Sequence, residues 1–285
     1  MILITGATGN NGTEIIRRLA GSGARVRAMV RKYPDGTDAL PGVEYVMADF
    51  DDHVSIRRAL DSVHRAFLTT NSTERVEAQQ LNFVEQARAA GVRHIVYLSQ
   101  LHAARSSPVR FLRYHAVVED AIGSSGMAFT HLRPNLYMQG LLGFRSSIAT
   151  EGRFFASAGD ASVSIVDVRD IAAVAAAALT QEGHESRAYD ITGPEALTHA
   201  EMASVFTTVL GKPPVSHVDL PEAAMRDGLL GFGFPEWQAD GLIEDYAHYR
   251  RGEASAVSTA VRDVTGQPLS SFRQFVQGYR HAFLQ

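Results

Sequence analysis

The chain opens on Ile2-Leu3-Ile4-Thr5, a short apolar run that breaks into Gly6-Ala-Thr-Gly9-Asn-Asn-Gly12. Behind the glycines, Gly12, Ile15, Ile16 and Leu19 recur at helical spacing, and Gly21 and Gly23 close the segment. Residues 25–30 alternate polar and apolar, which predicts a second strand. Apolar runs at 43–48, 66–68, 94–98 and 128–132 predict four more. Helices are expected between them over 52–63, 73–90 and 110–122. Strands separated by helices predict a parallel sheet, because each parallel crossover needs a helix. After Pro134 the rhythm changes. A helix is expected over 136–150, a strand over 163–166, and Asp170 as the cap of an alanine-rich helix. Residues 189–192 return to the sheet, and Thr198-His-Ala-Glu201 reads as a capping box opening a helix that Gly211 ends. The fold class expected is α/β, a Rossmann-type doubly wound parallel sheet with a smaller, mostly helical C-terminal substrate lobe. Residues 1–135 plus 151–194 would form the first, and 136–150 plus 195–285 the second.

The glycine run carries the first chemistry. Strand, glycine turn, helix and strand within about thirty residues is the context of a dinucleotide fingerprint. Gly6 allows the tight turn, Gly9 lets backbone amides approach a pyrophosphate, and Gly12 lets the helix pack closely on the sheet. The helix N-terminus then faces the phosphates. The second strand ends in Val30-Arg31-Lys32, and the nearest acid, Asp35, lies past it. A carboxylate there would repel a 2′-phosphate, whereas the Arg31 guanidinium can grip one with paired hydrogen bonds. NADP(H) is therefore the expected cofactor. Asp49, ending the third strand, stands where such folds contact the adenine.

Composition narrows the classes further. The 285 residues are 45% hydrophobic, enough for a sizeable core, with 27 Lys+Arg against 31 Asp+Glu for a net charge of −4. No block of like charge suggests nucleic acid or an anionic membrane. The longest apolar stretch, 171–179, falls well short of the ~20 residues that span a bilayer. The N-terminus lacks the charged region of a secretion signal, and the absence of Cys excludes disulfides and thiolate metal sites. A cytoplasmic protein is expected, and no metal site, since no His pair has ligand spacing.

Several segments together resemble a known family. Thr5 to Gly12, Val30-Arg31, His115-Ala-Val-Val-Glu119, Leu132-Arg-Pro-Asn135, Gly183-His-Glu185 and Tyr189-Asp-Ile-Thr-Gly-Pro194 are similar to the NmrA-like proteins, an atypical branch of the short-chain dehydrogenases/reductases. Nearly the whole chain is covered, and the quinone- and dye-reducing members are the most similar. The resemblance implies that Gly6 to Gly12, with Thr8, Asn10 and Asn11, hold the pyrophosphate and Arg31 the 2′-phosphate. It further implies that Thr69, Thr70 and Asn71 line the nicotinamide ribose, and that the stretch from Asn135 to Gly140, with Tyr137, folds over the nicotinamide. Loop capping and packing account for Asn135 and Tyr137 equally well.

The Tyr-x-x-x-Lys machinery of the wider superfamily is missing. Lys32 and Lys212 are the only lysines, and Tyr114 is followed four residues on by Val118. His115 is the candidate proton donor, with Glu119 one turn away to orient it; a plain helix-surface pair is the competing account. The expected activity is hydride transfer from NADPH to a quinone-like, azo or other planar aromatic acceptor, for which proximity and orientation supply most of the catalysis. The alternative is a non-catalytic NADP(H) redox sensor that binds a protein partner. A small aromatic substrate is the expected partner, with room for a homodimer. Of the bulky residues in the second lobe most are expected in the core, with residues 232–237 as a lip.

Overall fold

The computed structural model describes residues 1–33, 39–211 and 214–285; Asp35 and Lys212 lie outside them. In chain order the elements begin β1 (Ile2–Ile4), α1 (Asn10–Ala20), β2 (Val26–Val30), β3 (Val43–Met47), α2 (His53–Ala59), β4 (Arg65–Leu68), α3 (Val76–Ala89) and β5 (His94–Leu98). They continue with α4 (Arg110–Gly123), β6 (Ala128–Pro134), α5 (Arg145–Glu151), β7 (Arg153–Ala156), β8 (Ser162–Val163), α6 (Val168–Thr180), β9 (Arg187–Ile191), β10 (Leu197–Thr198), α7 (His199–Leu210) and β11 (Ser216–Asp219). Four further helices complete the chain: α8 (Glu222–Gly231), α9 (Glu236–Arg250), α10 (Ala260–Thr265) and α11 (Phe272–Gly278).

Seven strands form one sheet in the order β3-β2-β1-β4-β5-β6-β9. The pairs from β3 through β6 are all parallel. Parallel strands are covered on both faces, so they read as continuous apolar runs; every residue of β2 and β5 is buried. The helix α1 turns Gly12, Ile15, Ile16 and Leu19 inward, the face its spacing predicts.

The chain divides into two compact units. The first holds residues 1–107, 112–133 and 171–189; the second holds 108–111, 134–170 and 190–285. The first unit's core gathers Leu3, Leu68, Phe83, Ile95, Tyr97 and Val118 around the sheet. In the second, Phe154, Phe206, Phe272, Phe275 and Phe283 pack together with Met138 and Met202.

Residues 151–170 and 190–194, expected with the dinucleotide-binding domain, fall in the second unit. For 151–170 the reason is pairing: β7 lies parallel to β11, and β8 antiparallel to β10, in two small sheets separate from the seven-stranded one. The helix expected over 136–150 is a 3-10 turn, Met138–Phe144, followed by α5; Gly140 and Gly143 inside it weaken a regular helix. Asp170 does not cap α6. Asp167 accepts the Arg169 amide at 2.8 Å, whereas Asp170 accepts from the Ser270 amide and hydroxyl at 2.7 and 2.8 Å. The capping box at Thr198 and Glu201 is present as read.

Candidate active site

The strand order reverses between β1 and β4, the point in an open α/β sheet where ligands bind beyond the carboxyl ends. Thr5, the residue after β1, ties the two strands together. Its hydroxyl donates to the Thr69 carbonyl at 2.8 Å and accepts from the Thr69 amide at 2.8 Å. Gly6 follows at φ +58, and a Cβ there would lie 2.6 Å from the Thr69 methyl. Gly9 caps α1 with no side chain in the way, and its amide donates to the Gly6 carbonyl at 3.0 Å. A Cβ on Gly12 would lie 2.2 Å from the Gly6 carbonyl oxygen. Gly6 and Gly12 are thus required by contacts, a Cβ on Gly9 would lie a tight 3.3 Å from the Gly6 carbonyl oxygen, and the turn is drawn close over the start of an eleven-residue helix. Backbone amides at that end suit a phosphate, so the residues present fit the pyrophosphate of a dinucleotide.

Around this cradle, Thr8 and Asn10 are exposed, while Asn11 is buried with its Oδ1 lacking a partner among the described residues. Arg31 is exposed immediately beyond β2, and Asp49 is exposed beyond β3, its carboxylate accepting the Asp51 amide at 2.9 Å. Beyond β4, Thr69 and Thr70 are half-buried and Asn71 is exposed. These residues all belong to the first unit.

His115 and Glu119 do not pair as the sequence suggests. Glu119 is buried and gripped by Arg133 through two hydrogen bonds of 2.9 and 2.5 Å, and its Oε1 also accepts the Ser99 hydroxyl at 2.6 Å. His115 turns the other way. It lies 2.7 Å from the Tyr97 hydroxyl, which donates to Gln80 at 2.7 Å; Gln80 in turn donates to Thr70 at 2.9 Å. Burial pushes the His115 pKa down to about 3, so the ring is neutral near pH 7 and holds no proton ready for release. The helix-surface pair fails as well, because neither residue is on the surface.

Asn135 and Tyr137 belong to the second unit. The Asn135 amide donates to Ser164 Oγ at 2.9 Å and the Ala254 carbonyl at 2.8 Å, and its oxygen accepts the Leu136 amide at 2.8 Å. That side chain braces the backbone there. Tyr137 is half-buried and bridges Val166 through its backbone. Phe154 is fully buried, while Phe232 is 77% exposed beside Gly231 and Gly233.

The sequence pattern assigns no site role to Gln80, Tyr97, Ser99 or Arg133. One signal was available: Gln80 is a polar residue on the otherwise apolar face of α3, and such a group needs buried partners.

The fold and the glycine turn at its switch point define a Rossmann-type protein of the dinucleotide-binding class. The chain belongs to the NmrA-like family, whose model matches residues 1–264. It is 34% identical to an NAD(P)H azoreductase of Xenophilus azovorans, over 99% of both chains. It is 37% identical to a (4-alkanoyl-5-oxo-2,5-dihydrofuran-3-yl)methyl phosphate reductase of Streptomyces griseus, again over 99% of both. Among solved structures, the NADPH complex of an NADPH-dependent quinone oxidoreductase from Escherichia coli superposes with a TM-score of 0.88. That pair is 29% identical, covering 98% of this chain and 100% of the other. No helix among the described residues is long and apolar enough to cross a membrane, and no group of three or more His, Cys, Asp or Glu among them could hold a metal ion.

Proposed function

We propose that this protein is an NADPH-dependent reductase of conjugated, planar acceptors of the quinone or azo type. The observation that carries the reading is the state of the titratable groups that α4 turns toward β5 and β6. His115 is buried and neutral, and Glu119 is locked between Arg133 and Ser99. Neither is set to protonate an alkoxide, as reduction of a simple ketone would require. A quinone or azo acceptor takes hydride into an extended π system and can draw its proton from water. The relatives named for azo, quinone and oxo-dihydrofuran reduction all have conjugated electrophiles in those names.

Bound NADPH supplies the hydride. The chain's own contribution is to hold it: amides of the Gly6–Gly12 turn on the pyrophosphate and Arg31 on the 2′-phosphate. A small aromatic acceptor would then be held against the nicotinamide, and orientation replaces acid–base chemistry as the main source of rate. The redox-sensor alternative gains nothing from relatives named as reductases.

The test is NADPH consumption by purified protein with a panel of quinones, azo dyes and simple aldehydes or ketones. Turnover confined to the conjugated acceptors is the expected result. Turnover with simple carbonyls alone, or with none of the panel, would overturn the assignment.

A further inference from the structure

Four side chains of the first unit form a single hydrogen-bonded file from α4 to the end of β4, and the file has one direction. The Tyr97 hydroxyl, wholly buried, has a single proton and gives it to Gln80 Oε1 at 2.7 Å. The 2.7 Å contact between that hydroxyl and His115 Nδ1 can then be a hydrogen bond only if the ring nitrogen carries the proton. At the other end, the Gln80 amide spends an N–H on Thr70 Oγ1 at 2.9 Å. Thr70 accepts there, so its own hydroxyl proton is left to be donated elsewhere. Gln80 is 2% exposed, and both ends of its carboxamide are engaged. Turning the carboxamide over would reverse every bond in the file.

Thr70 stands at the β1/β4 switch point, two residues beyond β4 and next to Thr69, whose backbone Thr5 secures. We propose that Gln80, Tyr97 and His115 are positioning residues that act through Thr70, fixing its hydroxyl as a hydrogen-bond donor to an oxygen on the nicotinamide half of the bound dinucleotide. This rests on the dinucleotide reading above. It assigns a role to buried groups that touch no ligand, and it explains why polar side chains occupy α3 and β5 positions that pack in the core. It also gives His115 a purpose other than proton transfer: a neutral ring whose Nδ1–H starts the file.

Two measurements test it. The first uses free wild-type protein. Long-range nitrogen–proton NMR at neutral pH should show the His115 ring as the Nδ1–H tautomer. The Nε2–H tautomer would mean that Tyr97 donates to His115 and the file runs backwards, which overturns the proposal.

The second uses Gln80→Glu, with NADPH affinity read from the nicotinamide fluorescence across pH 5 to 9 and referred to wild type at each pH. The carboxyl introduced by this substitution can, when protonated, donate to Thr70 as the amide does. Once ionised it can only accept, and it turns the Thr70 proton inward. The variant should therefore bind close to wild type at the acid end and lose roughly tenfold as pH rises, the value of about one hydrogen bond. The same pH limb should be absent from Thr70→Val/Gln80→Glu. A limb that persists in the double variant, or a Gln80→Glu protein that tracks wild type throughout, would overturn the proposal. Wild-type protein that binds no NADPH defeats the dinucleotide reading itself, a failure visible without any variant.

Discussion

Lowering the pH from 6.5 towards 4 should unfold this protein, because four histidines are buried in their neutral form. Burial pushes the pKa of His94, His131 and His199 down to about 4 and that of His115 to about 3. Each is less than a tenth exposed. The hydrogen bonds show why protonation is so unfavourable. Thr130 spends its hydroxyl proton on the His184 carbonyl at 2.7 Å, so it must accept from His94 Nε2 at 2.9 Å. His94 Nδ1 is left as a buried lone pair with no partner among the described residues, and a proton added there is a charge in the core. The Nδ1 atoms of His131 and His199 are likewise buried and unpartnered among those residues.

In the unfolded chain all four protonate near pH 6.5. Between that pH and about 4 the unfolded state therefore binds more protons, and stability falls as pH falls. Keeping each ring neutral in the fold costs on the order of a few kcal/mol once the unfolded chain is protonated, a substantial share of the 5–15 kcal/mol that holds a typical domain folded. Asp170 works the other way, since burial raises its pKa, but it is one group against four. Thermal melts at pH 7 and pH 5 should show a large loss of Tm at the lower pH. His131→Phe, which keeps the stack on Phe129 seen at 4.5 Å between ring centroids, should move the acid midpoint down. A Tm that does not change between pH 7 and pH 5 would contradict the account.

The second large effect is expected of Gly12→Ala. Its Cβ would stand 2.2 Å from the Gly6 carbonyl oxygen and 2.8 Å from the Ala7 Cα, both backbone atoms that cannot step aside cheaply. Helix α1 must move away from the turn, at the 1–3 kcal/mol typical of overpacking. The amides that would face a pyrophosphate move with it. NADPH affinity should drop by about 100-fold or more, since several charge-assisted hydrogen bonds depend on the same backbone. Gly21→Ala, at the other end of the helix, is the control. Its Cβ would meet only the Arg18 carbonyl at an ordinary 3.7 Å, and both Tm and affinity should hold. Equal losses in the two variants would show that the turn is not a ligand cradle.

The first unit was legible because its signals are local. The three glycines, the 3.6-residue period of Gly12, Ile15, Ile16 and Leu19, and the apolar runs each announce one element, and the alternation of elements announces the sheet. The second unit was less so. Its β7 pairs with β11 across some sixty residues, a partnership no local pattern encodes, and this moved 151–170 out of the domain where they were expected. The site divided along the same line. Glycine positions follow from backbone geometry and could be read. The partners of His115 could not, because helical spacing offered Glu119 while the fold offered Tyr97 from a neighbouring strand. Glu119 was taken instead by Arg133, a residue whose own spacing gave no hint of the pair.

The proposed function requires the chain's first thirty-one residues to clasp a dinucleotide bearing a 2′-phosphate. Calorimetric titration of NADPH and NADH into wild type and Arg31→Ala tests it most directly. Wild type should prefer NADPH, and the substitution should weaken NADPH about 10- to 100-fold, the value of a paired, charge-assisted contact, while leaving NADH nearly unchanged. Equal losses for the two cofactors, or a wild-type protein that favours NADH, would contradict it.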